Sequence, residues 1–207
     1  MTAFIWDLDG TLINSYDIIL TSLEETFIFY NIPFDYEFAK KTIINESVVS
    51  FLKKISSDFD IPYEILKNYF SEKSKEKNDK VTLMEGALDI LRWTEIKGIV
   101  NFIYTHKSDN ALELIEKLGI REYFTEIVTS SNKFLRKPNP EGLNYLIDKY
   151  HLSLENTYYI GDRSLDVEVA NNTGIISFNL TQPDSKSNKN ISKLTDIIKI
   201  TRNDFTF

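Results

Sequence analysis

The chain has 207 residues and a formal net charge of −7, with 42% hydrophobic and 27% charged residues. This composition excludes a disordered chain, and the length allows one sizeable domain or a core domain with a smaller insertion. The acidic balance argues against a general nucleic-acid binder, and the lack of cysteine excludes disulfides, thiolate metal sites and a cysteine nucleophile.

The first predicted element is a short apolar strand, Ala3–Trp6, which runs into the motif Asp-Leu-Asp-Gly-Thr. Because strand side chains alternate, Asp7 and Asp9 are expected to emerge on the same side of the strand end. The pattern is compatible with a polar turn whose carboxylates are solvated, or with a buried strand that delivers two carboxylates to a reaction centre. A chance match to the five-residue motif is uncommon in a chain of this length, which favours the second interpretation.

The next stretch, residues 15–84, contains no convincing strand but several amphipathic helical segments. Pro33 and Pro62 follow Asn-Ile and Asp-Ile pairs that are plausible helix breakers. A helical block of this size between the first strand and the next is typical of an inserted subdomain. We therefore predict a helical cap spanning residues 15–84 and a core domain spanning residues 1–14 and 85–207.

Strand and helix patterns alternate in the rest of the chain. Four apolar runs are predicted strands, several of them rich in β-branched or aromatic residues: Ile99–Tyr104, Glu126–Thr129, Thr157–Ile160 and Ile175–Phe178. The segments between them carry apolar residues at helical spacing. This alternation predicts an α/β domain with a mostly parallel sheet.

A polar segment near the end of the chain, Thr181–Asn190, has the composition of a linker. After it, apolar residues recur at helical spacing and predict a closing amphipathic helix around residues 191–200. We expect the linker to separate the last strand from this helix.

Two acidic residues follow the predicted strand Thr157–Ile160. Asp162 comes just after the strand, and Asp166 follows four residues later. If a helix begins near residue 163, the two carboxylates lie on one face and can reach a common cation. Carboxylate oxygens at a strand end suit Mg²⁺, although Asp162 acting only as a helix cap is an open alternative.

Lys137 and Thr105 are weaker candidates when each is taken alone. Lys137 precedes an Asn-Pro pair typical of a helix start, where the helix dipole favours an anion. Thr105 ends a strand, and its hydroxyl and the following amides can bind phosphate oxygens. Solvated lysines and strand-terminal threonines are common. Together with the acidic pairs, however, they would lie at one sheet edge and supply the charge neutralisation that phosphoryl transfer needs.

These features, in this order, resemble the motifs of the haloacid dehalogenase superfamily of Mg²⁺-dependent aspartyl-phosphate hydrolases, in its phosphoglycolate phosphatase and β-phosphoglucomutase branch. The matching segments are "DLDGT", Thr105 after an apolar strand, Lys137 in "RKPNP", and "GDRSLD". The resemblance covers about residues 2–180. It implies an α/β fold with a Rossmann-like three-layer core, a parallel sheet in the order 5-4-1-2-3, and a helical cap inserted after the first strand.

The resemblance also implies Mg²⁺ as cofactor and a role for each motif residue. Asp7 is expected to attack phosphorus, and Asp9 to protonate the leaving alkoxide and then activate the hydrolytic water. Thr105, the amide at His106 and Lys137 are expected to bind the phosphoryl group. The implied metal ligands are Asp7, Asp9 through its backbone carbonyl, and Asp162, with Asp166 as outer support.

Two departures from the family pattern concern phosphate and substrate binding. His106 stands where Asn is common, and it is either a donor to phosphate or substrate or a structural neighbour. In the cap, Asn45, Glu46 and Ser47 stand where an Ile-Gly turn is common and are expected to face the substrate. Glu46 would disfavour a second anionic group, which argues against phosphoglycolate itself.

The sequence therefore predicts a Mg²⁺-dependent phosphatase that acts on a small phosphorylated metabolite as a monomer or homodimer. Retention of Asp9 favours an oxygen leaving group, since the true dehalogenases that the chain resembles lack this acid. The alternatives are a phosphomutase of the β-phosphoglucomutase type and a non-catalytic phosphate-binding regulatory protein. Because the sequence shows neither a secretory signal nor a membrane-spanning apolar run, we expect a cytoplasmic protein without nucleic-acid or membrane partners.

Overall fold

The computed structural model of the protein describes residues 1–204. Within these residues the strands, in chain order, are β1 (Ala3–Trp6), β2 (Ile13–Asn14), β3 (Thr82–Leu83), β4 (Val100–Tyr104), β5 (Phe124–Val128), β6 (Thr157–Gly161), β7 (Ile176–Asn179) and β8 (Asn188–Asn190). The helices are α1 (Tyr16–Phe29), α2 (Tyr36–Asn45), α3 (Val48–Phe59), α4 (Tyr63–Glu76), α5 (Ala87–Ile96), α6 (Asn110–Lys117), α7 (Glu141–Tyr150), α8 (Ser164–Thr173) and α9 (Asp196–Asp204).

Six of the strands form one sheet in the order β5-β4-β1-β6-β7-β8, and every pair in it is parallel. The two remaining strands, β2 and β3, pair with each other in antiparallel orientation. The α/β class and the mostly parallel sheet predicted from the sequence are confirmed. Strand β1 lies in the middle, between β4 and β6, so the residues that follow these three strands emerge side by side.

The described chain divides into two compact units. One contains Met1–Asn14 and the chain from Thr82 onward, with the sheet and helices α5 to α9. The other, Ser15–Val81, contains helices α1 to α4 around its own apolar core, which includes Leu20, Phe27 and Phe51. No helix among the described residues is both long enough and apolar enough to cross a membrane.

Strand β1 is buried along its whole length, as its unbroken apolar sequence predicts for a strand covered on both faces. Ile5 joins the core that helices α7 and α8 complete through residues such as Leu143 and Val169. On the other face, the Phe4 ring packs edge-on against Trp6, with ring centroids 5.8 Å apart. This packing holds the strand that leads to Asp7 in a rigid setting.

The polar segment Thr181–Asn190 is not the linker that its composition suggested. It folds into a hydrogen-bonded loop in which Asn179 Oδ1 accepts the N–H groups of Thr181 and Gln182, each at 2.9 Å, and it ends in strand β8. The closing helix also begins later than predicted, at Asp196. The Asp196 carboxylate accepts the N–H groups of Ser192 and Lys193, each at 3.2 Å, and so closes a turn ahead of the helix.

Candidate active site

Asp7 stands at the carboxyl end of β1, where its N–H donates to the Ile160 carbonyl at 2.8 Å and continues the ladder with β6. Its side chain is only 2% exposed. Oδ1 accepts a hydrogen bond from Lys137 Nζ at 2.8 Å, whereas the buried Oδ2 has no hydrogen-bond partner among the described residues. Because a buried carboxylate oxygen without a partner is costly, Oδ2 marks a position suited to a cation or a phosphorus atom.

Asp9 lies in a different environment, on the turn that follows β1. The turn is tight, because the Leu8 carbonyl accepts the N–H groups of both Leu12 and Ile13 at 3.0 Å, and Gly10 adopts a positive φ of 81°. The Asp9 side chain is partly exposed, and its Oδ1 accepts from Lys107 Nζ at 3.0 Å. The two acids therefore lie in different surroundings, and a difference in their roles stays a prediction.

The carboxylate of Asp166 accepts three hydrogen bonds. Its Oδ2 accepts the backbone N–H groups of Asp162 at 3.1 Å and of Arg163 at 3.0 Å, and its Oδ1 accepts from Lys137 Nζ at 2.7 Å. Asp162 has another partner, since its Oδ1 accepts from Thr11 Oγ1 at 3.3 Å. Thus Asp166 holds the turn in which Asp162 lies, an arrangement that suits the outer support expected of it.

The carboxylates of Asp7, Asp162 and Asp166 come together in the first unit, with one oxygen of each within 4.8 Å of the others, and all three side chains are buried. This donor set consists of carboxylate oxygens only, which are the ligands that Mg²⁺ prefers. Together with the unpartnered Oδ2 of Asp7, these residues fit a hard divalent cation.

Lys137 is a buried cation enclosed by these acids. Its ammonium donates to Asp7 Oδ1, Asp166 Oδ1 and the hydroxyl of Tyr159, at 2.8, 2.7 and 2.9 Å. Burial by itself would lower the pKa of Lys137, but the charges of Asp166 and Asp7 outweigh burial and hold the pKa above its ordinary value. The side chain is therefore charged at neutral pH.

The pKa values of the two acids next to Lys137 are shifted in opposite directions. Burial raises the pKa of Asp7, with a further contribution from the charge of Asp166, and the opposing effect of Lys137 is smaller. Burial also acts to raise the pKa of Asp166, but the charges of Lys137 and Arg163 overcome it and the pKa lies below its ordinary value. The lowered pKa keeps Asp166 ionised, and Asp166 is therefore the counter-ion of Lys137.

The loop after β4 carries Thr105 and His106. The Thr105 side chain is buried, and its Oγ1 accepts the N–H of Lys107 at 3.2 Å. His106 Nε2 accepts the backbone N–H of Lys137 at 2.9 Å, so the ring carries its proton on Nδ1. Burial, followed by the positive charges of Lys137 and Arg136, lowers the pKa of His106 to about 2 and keeps the ring neutral.

Two further residues of this region, Lys107 and Tyr159, were not singled out from the sequence. Lys107 was detectable, because the loop reads Thr-His-Lys where the family commonly has Thr-Asn-Lys. Tyr159 shares one face of β6 with Gly161, since strand side chains alternate, and this face lies beneath Asp166. In the sequence, the only indication of Tyr159 was the two-residue alternation of side chains along the strand.

Asn45, Glu46 and Ser47 belong to the helical unit, at the junction of α2 and α3. Ser47 caps α3, because its Oγ accepts the N–H of Ser50 at 3.0 Å. The Ser50 hydroxyl donates in turn to Glu46 Oε2 at 2.7 Å. These bonds fix the junction between the two helices, and a contact of the three residues with substrate stays a prediction.

The chain is similar to known hydrolases in sequence and in fold. Residues 4–180 match the haloacid dehalogenase-like hydrolase family. A phosphoglycolate phosphatase of Vibrio cholerae is 25% identical over 186 residues, which cover 85% of this chain and 82% of that protein. A pyrophosphatase PpaX of Oceanobacillus iheyensis is 27% identical over 164 residues, 79% of this chain and 75% of that protein. The crystal structure of a hydrolase from Streptococcus pneumoniae has 28% identity and a TM-score of 0.63, and the match covers 97% of this chain and 98% of that one.

Proposed function

Since the chain belongs to the haloacid dehalogenase-like hydrolase family, we propose that it is a Mg²⁺-dependent phosphatase that hydrolyses a small phosphorylated metabolite through an aspartyl-phosphate. Family membership confirms the resemblance noted in the sequence. The observation that carries the proposal is the asymmetry of Asp7, whose Oδ1 is held by Lys137 while its buried Oδ2 has no hydrogen-bond partner among the described residues.

In the proposed reaction, Oδ2 of Asp7 forms a bond to phosphorus while the ester P–O bond breaks and the electron pair leaves with the alkoxide. Asp9 donates its proton to that leaving oxygen. Asp9 then takes a proton from water, whose oxygen attacks phosphorus and releases inorganic phosphate and the Asp7 carboxylate. The partly exposed position of Asp9 beside Lys107 supports a role in exchanging protons, since protons must reach and leave this group in every cycle.

The transferring phosphoryl group needs neutralisation of its charge in the transition state. We propose that Lys137, the hydroxyl of Thr105 and the backbone amide of His106 contact its oxygens. Mg²⁺, held by Asp7, Asp162 and the backbone carbonyl of Asp9 with Asp166 as outer support, would supply further charge neutralisation to the phosphoryl oxygens. Nε2 of His106 accepts the backbone N–H of Lys137, so we propose that the backbone amide of His106, and not Nε2, contacts the phosphoryl group.

The relatives carry two different names, phosphoglycolate phosphatase and pyrophosphatase PpaX, and so support a small phosphorylated substrate without selecting one. We propose that Asn45, Glu46 and Ser47 face the substrate. The carboxylate of Glu46 would disfavour a second anionic group on the substrate. It would therefore select substrates whose only anionic group is the phosphate.

The test is phosphate release from para-nitrophenyl phosphate and a panel of phosphorylated metabolites, with and without Mg²⁺. We expect Mg²⁺-dependent release by the wild type and none by Asp7→Asn, because the amide is a poor nucleophile. The exposed Asp148→Asn is the matched control and should retain wild-type activity. Absence of release by the wild type across the panel, or equal release by Asp7→Asn, would contradict the proposal.

A further inference from the structure

The hydroxyl of Tyr159 lies inside the candidate site but has no part in the chemistry proposed above. Tyr159 projects from β6, is fully buried, and touches Lys137 rather than the expected position of the phosphoryl group. Its oxygen lies 2.9 Å from Lys137 Nζ and 3.0 Å from the backbone carbonyl oxygen of Tyr104. The hydroxyl thus connects the lysine with the last residue of β4.

The direction of both hydrogen bonds follows from the chemistry of the partners. An ammonium group has donors only, so the hydroxyl accepts from Lys137. A carbonyl oxygen only accepts, so the single hydroxyl proton is committed to Tyr104. Burial, together with the nearby charges of Asp166 and Asp7, raises the pKa of Tyr159 well above its ordinary value, and the hydroxyl therefore keeps this proton.

The ammonium of Lys137 has three protons, and the protein provides three acceptors for them. Two are carboxylates, Asp7 and Asp166, and the third is the hydroxyl of Tyr159. The rings of Tyr104 and Tyr159 also lie near the charge, with centroids 5.7 and 5.3 Å from Nζ. Without the hydroxyl, one N–H of a fully buried cation would face an apolar edge, and the ammonium would rotate toward the carboxylates.

The far end of this chain of hydrogen bonds lies beside the proposed phosphate contacts. The Tyr104 carbonyl immediately precedes Thr105, whose N–H donates to the Val128 carbonyl at 2.9 Å. Any shift of Tyr159 would therefore change both the position of Lys137 and the end of β4.

We propose that Tyr159 is a positioning residue, which orients the Lys137 ammonium toward Asp7 and ties it to the end of β4. This inference rests on the proposed function, in which Lys137 neutralises the charge that develops on the phosphoryl group. It assigns to Tyr159 no contact with substrate. Its effect on the reaction passes through Lys137.

The kinetic test is Tyr159→Phe, which removes the hydroxyl and keeps the ring. We expect kcat to fall by about tenfold to a hundredfold, the usual effect of losing a hydrogen bond to a charged group. KM should change by less than about twofold, because Lys137 acts on charge that is greatest in the transition state. The control is Tyr158→Phe on the same strand, whose hydroxyl donates to the Glu155 carbonyl at 3.3 Å and which should keep the wild-type kcat.

A second measurement does not depend on turnover. In protein labelled with nitrogen-15 lysine, the buried ammonium of Lys137 should give a slowly exchanging NMR signal, which is assigned by its loss in Lys137→Met. We expect this signal to be unchanged in Tyr158→Phe, and to shift and exchange faster in Tyr159→Phe. An unchanged signal in Tyr159→Phe overturns the proposal, and so does a shifted signal with wild-type kcat.

The two proposals can fail separately. A wild-type protein without phosphatase activity contradicts the proposed function, while the ammonium signal still decides whether Tyr159 positions Lys137. If Tyr159→Phe does not fold, the double variant with Lys137→Met removes the ammonium together with its acceptor and should fold. Failure of the double variant, when Lys137→Met alone folds, overturns the inference.

Discussion

A β-carbon at position 161 would lie 2.3 Å from the β-carbon of Asp166, so the Asp166 side chain rests directly on the backbone of Gly161. This close approach lets one carboxylate receive the Lys137 ammonium and the N–H groups of Asp162 and Arg163. Glycine at the end of β6 is therefore required by packing and not by backbone conformation. The motif "GDRSLD" owes its first residue to this contact.

We expect Gly161→Ala to lower the activity strongly and the stability of the fold only moderately. The added methyl group must push Asp166 away, and displacement of a catalytic group by about 1 Å can cost about a hundredfold in rate. The cost to the free energy of unfolding should be about 1 to 3 kcal/mol, as for other overpacked positions. Steady-state kinetics and urea unfolding measure the two effects.

Gly98→Ala is the control for that comparison. Gly98 has a φ of +65° and nothing within 4 Å of the position of an added β-carbon, so alanine there strains the backbone without a clash. It should lower stability by about 1 kcal/mol and leave kcat unchanged. Equal losses of kcat in the two variants would show that glycine replacement, and not contact with Asp166, causes the effect.

The division of roles between the two acids predicts a stalled intermediate in Asp9→Asn. An amide at position 9 cannot activate water, so the aspartyl-phosphate on Asp7 should accumulate. Because para-nitrophenolate leaves without a proton, the first step should still proceed, and rapid mixing should give a burst of about one para-nitrophenolate per active site. Asp7→Asn should give no burst, and a linear time course in Asp9→Asn would contradict the assignment.

The parts of the site that sequence patterns indicated are those that follow buried strands. Apolar runs end at Asp7 and just before Asp162, and the carboxyl ends of adjacent parallel strands meet at one edge. The structure places both acids there, together with Thr105 after β4. A strand end restricts where the next residue can lie, so such residues can be located without coordinates.

The remaining features depend on side-chain direction, which sequence patterns do not contain. Lys137 precedes a helix and so indicated an anion site at the helix start, whereas its ammonium turns inward to Asp7 and Asp166. The loop after Asn179 has the composition of a linker, yet its side chains bond its own backbone. The polar residue types that form hydrogen bonds within a folded loop are the same types that are solvated in a linker. Composition therefore does not distinguish the two.

The neutral state of His106 predicts a pH dependence of stability. The folded-state pKa of about 2 lies below the ordinary value of 6.5, so below pH 6.5 the unfolded chain binds a proton that the folded protein does not. The contribution of His106 is therefore complete above about pH 6.5 and is lost as pH falls, by at most about 1.4 kcal/mol per pH unit. Urea unfolding at a series of pH values measures this slope.

The substitution His106→Asn should remove the part of the pH dependence of stability that comes from His106. The amide oxygen of asparagine can accept the N–H of Lys137 as Nε2 of His106 does, so activity at neutral pH should be retained. His106→Ala should lower activity, because it leaves that N–H without its acceptor. A pH slope in His106→Asn as steep as in the wild type would show that other groups cause it.

The loop after β7 should influence metal binding through Asp162. Thr181 Oγ1 donates to the Asp162 backbone carbonyl at 2.5 Å, and Asn179 Nδ2 donates to the Arg163 carbonyl at 3.0 Å. Loss of such outer support typically costs about 10- to 100-fold in metal affinity. We expect this loss of Mg²⁺ affinity in Thr181→Val, measured by titration calorimetry, and near wild-type affinity in Thr181→Ser, which keeps the hydroxyl. A Mg²⁺ affinity of Thr181→Val equal to that of the wild type would contradict this role of the Thr181 hydroxyl.

A buried polar chain on the other side of the sheet should matter for stability alone. Trp6 Nε1 donates to Asn101 Oδ1 at 2.9 Å, and Asn101 Nδ2 donates to Thr94 Oγ1 at 2.7 Å. Asn101→Leu leaves the indole N–H buried without an acceptor and should cost about 1 to 3 kcal/mol in the free energy of unfolding. Adding Trp6→Phe removes the orphaned donor, so the double variant should lose less than the sum of the two single losses. Additive losses would mean that cavity formation, and not the unpaired indole, sets the cost. The value of kcat should stay at the wild-type level throughout, because the hydrogen bonds of these two side chains run to each other and to Thr94 and not to Asp7 or Lys137.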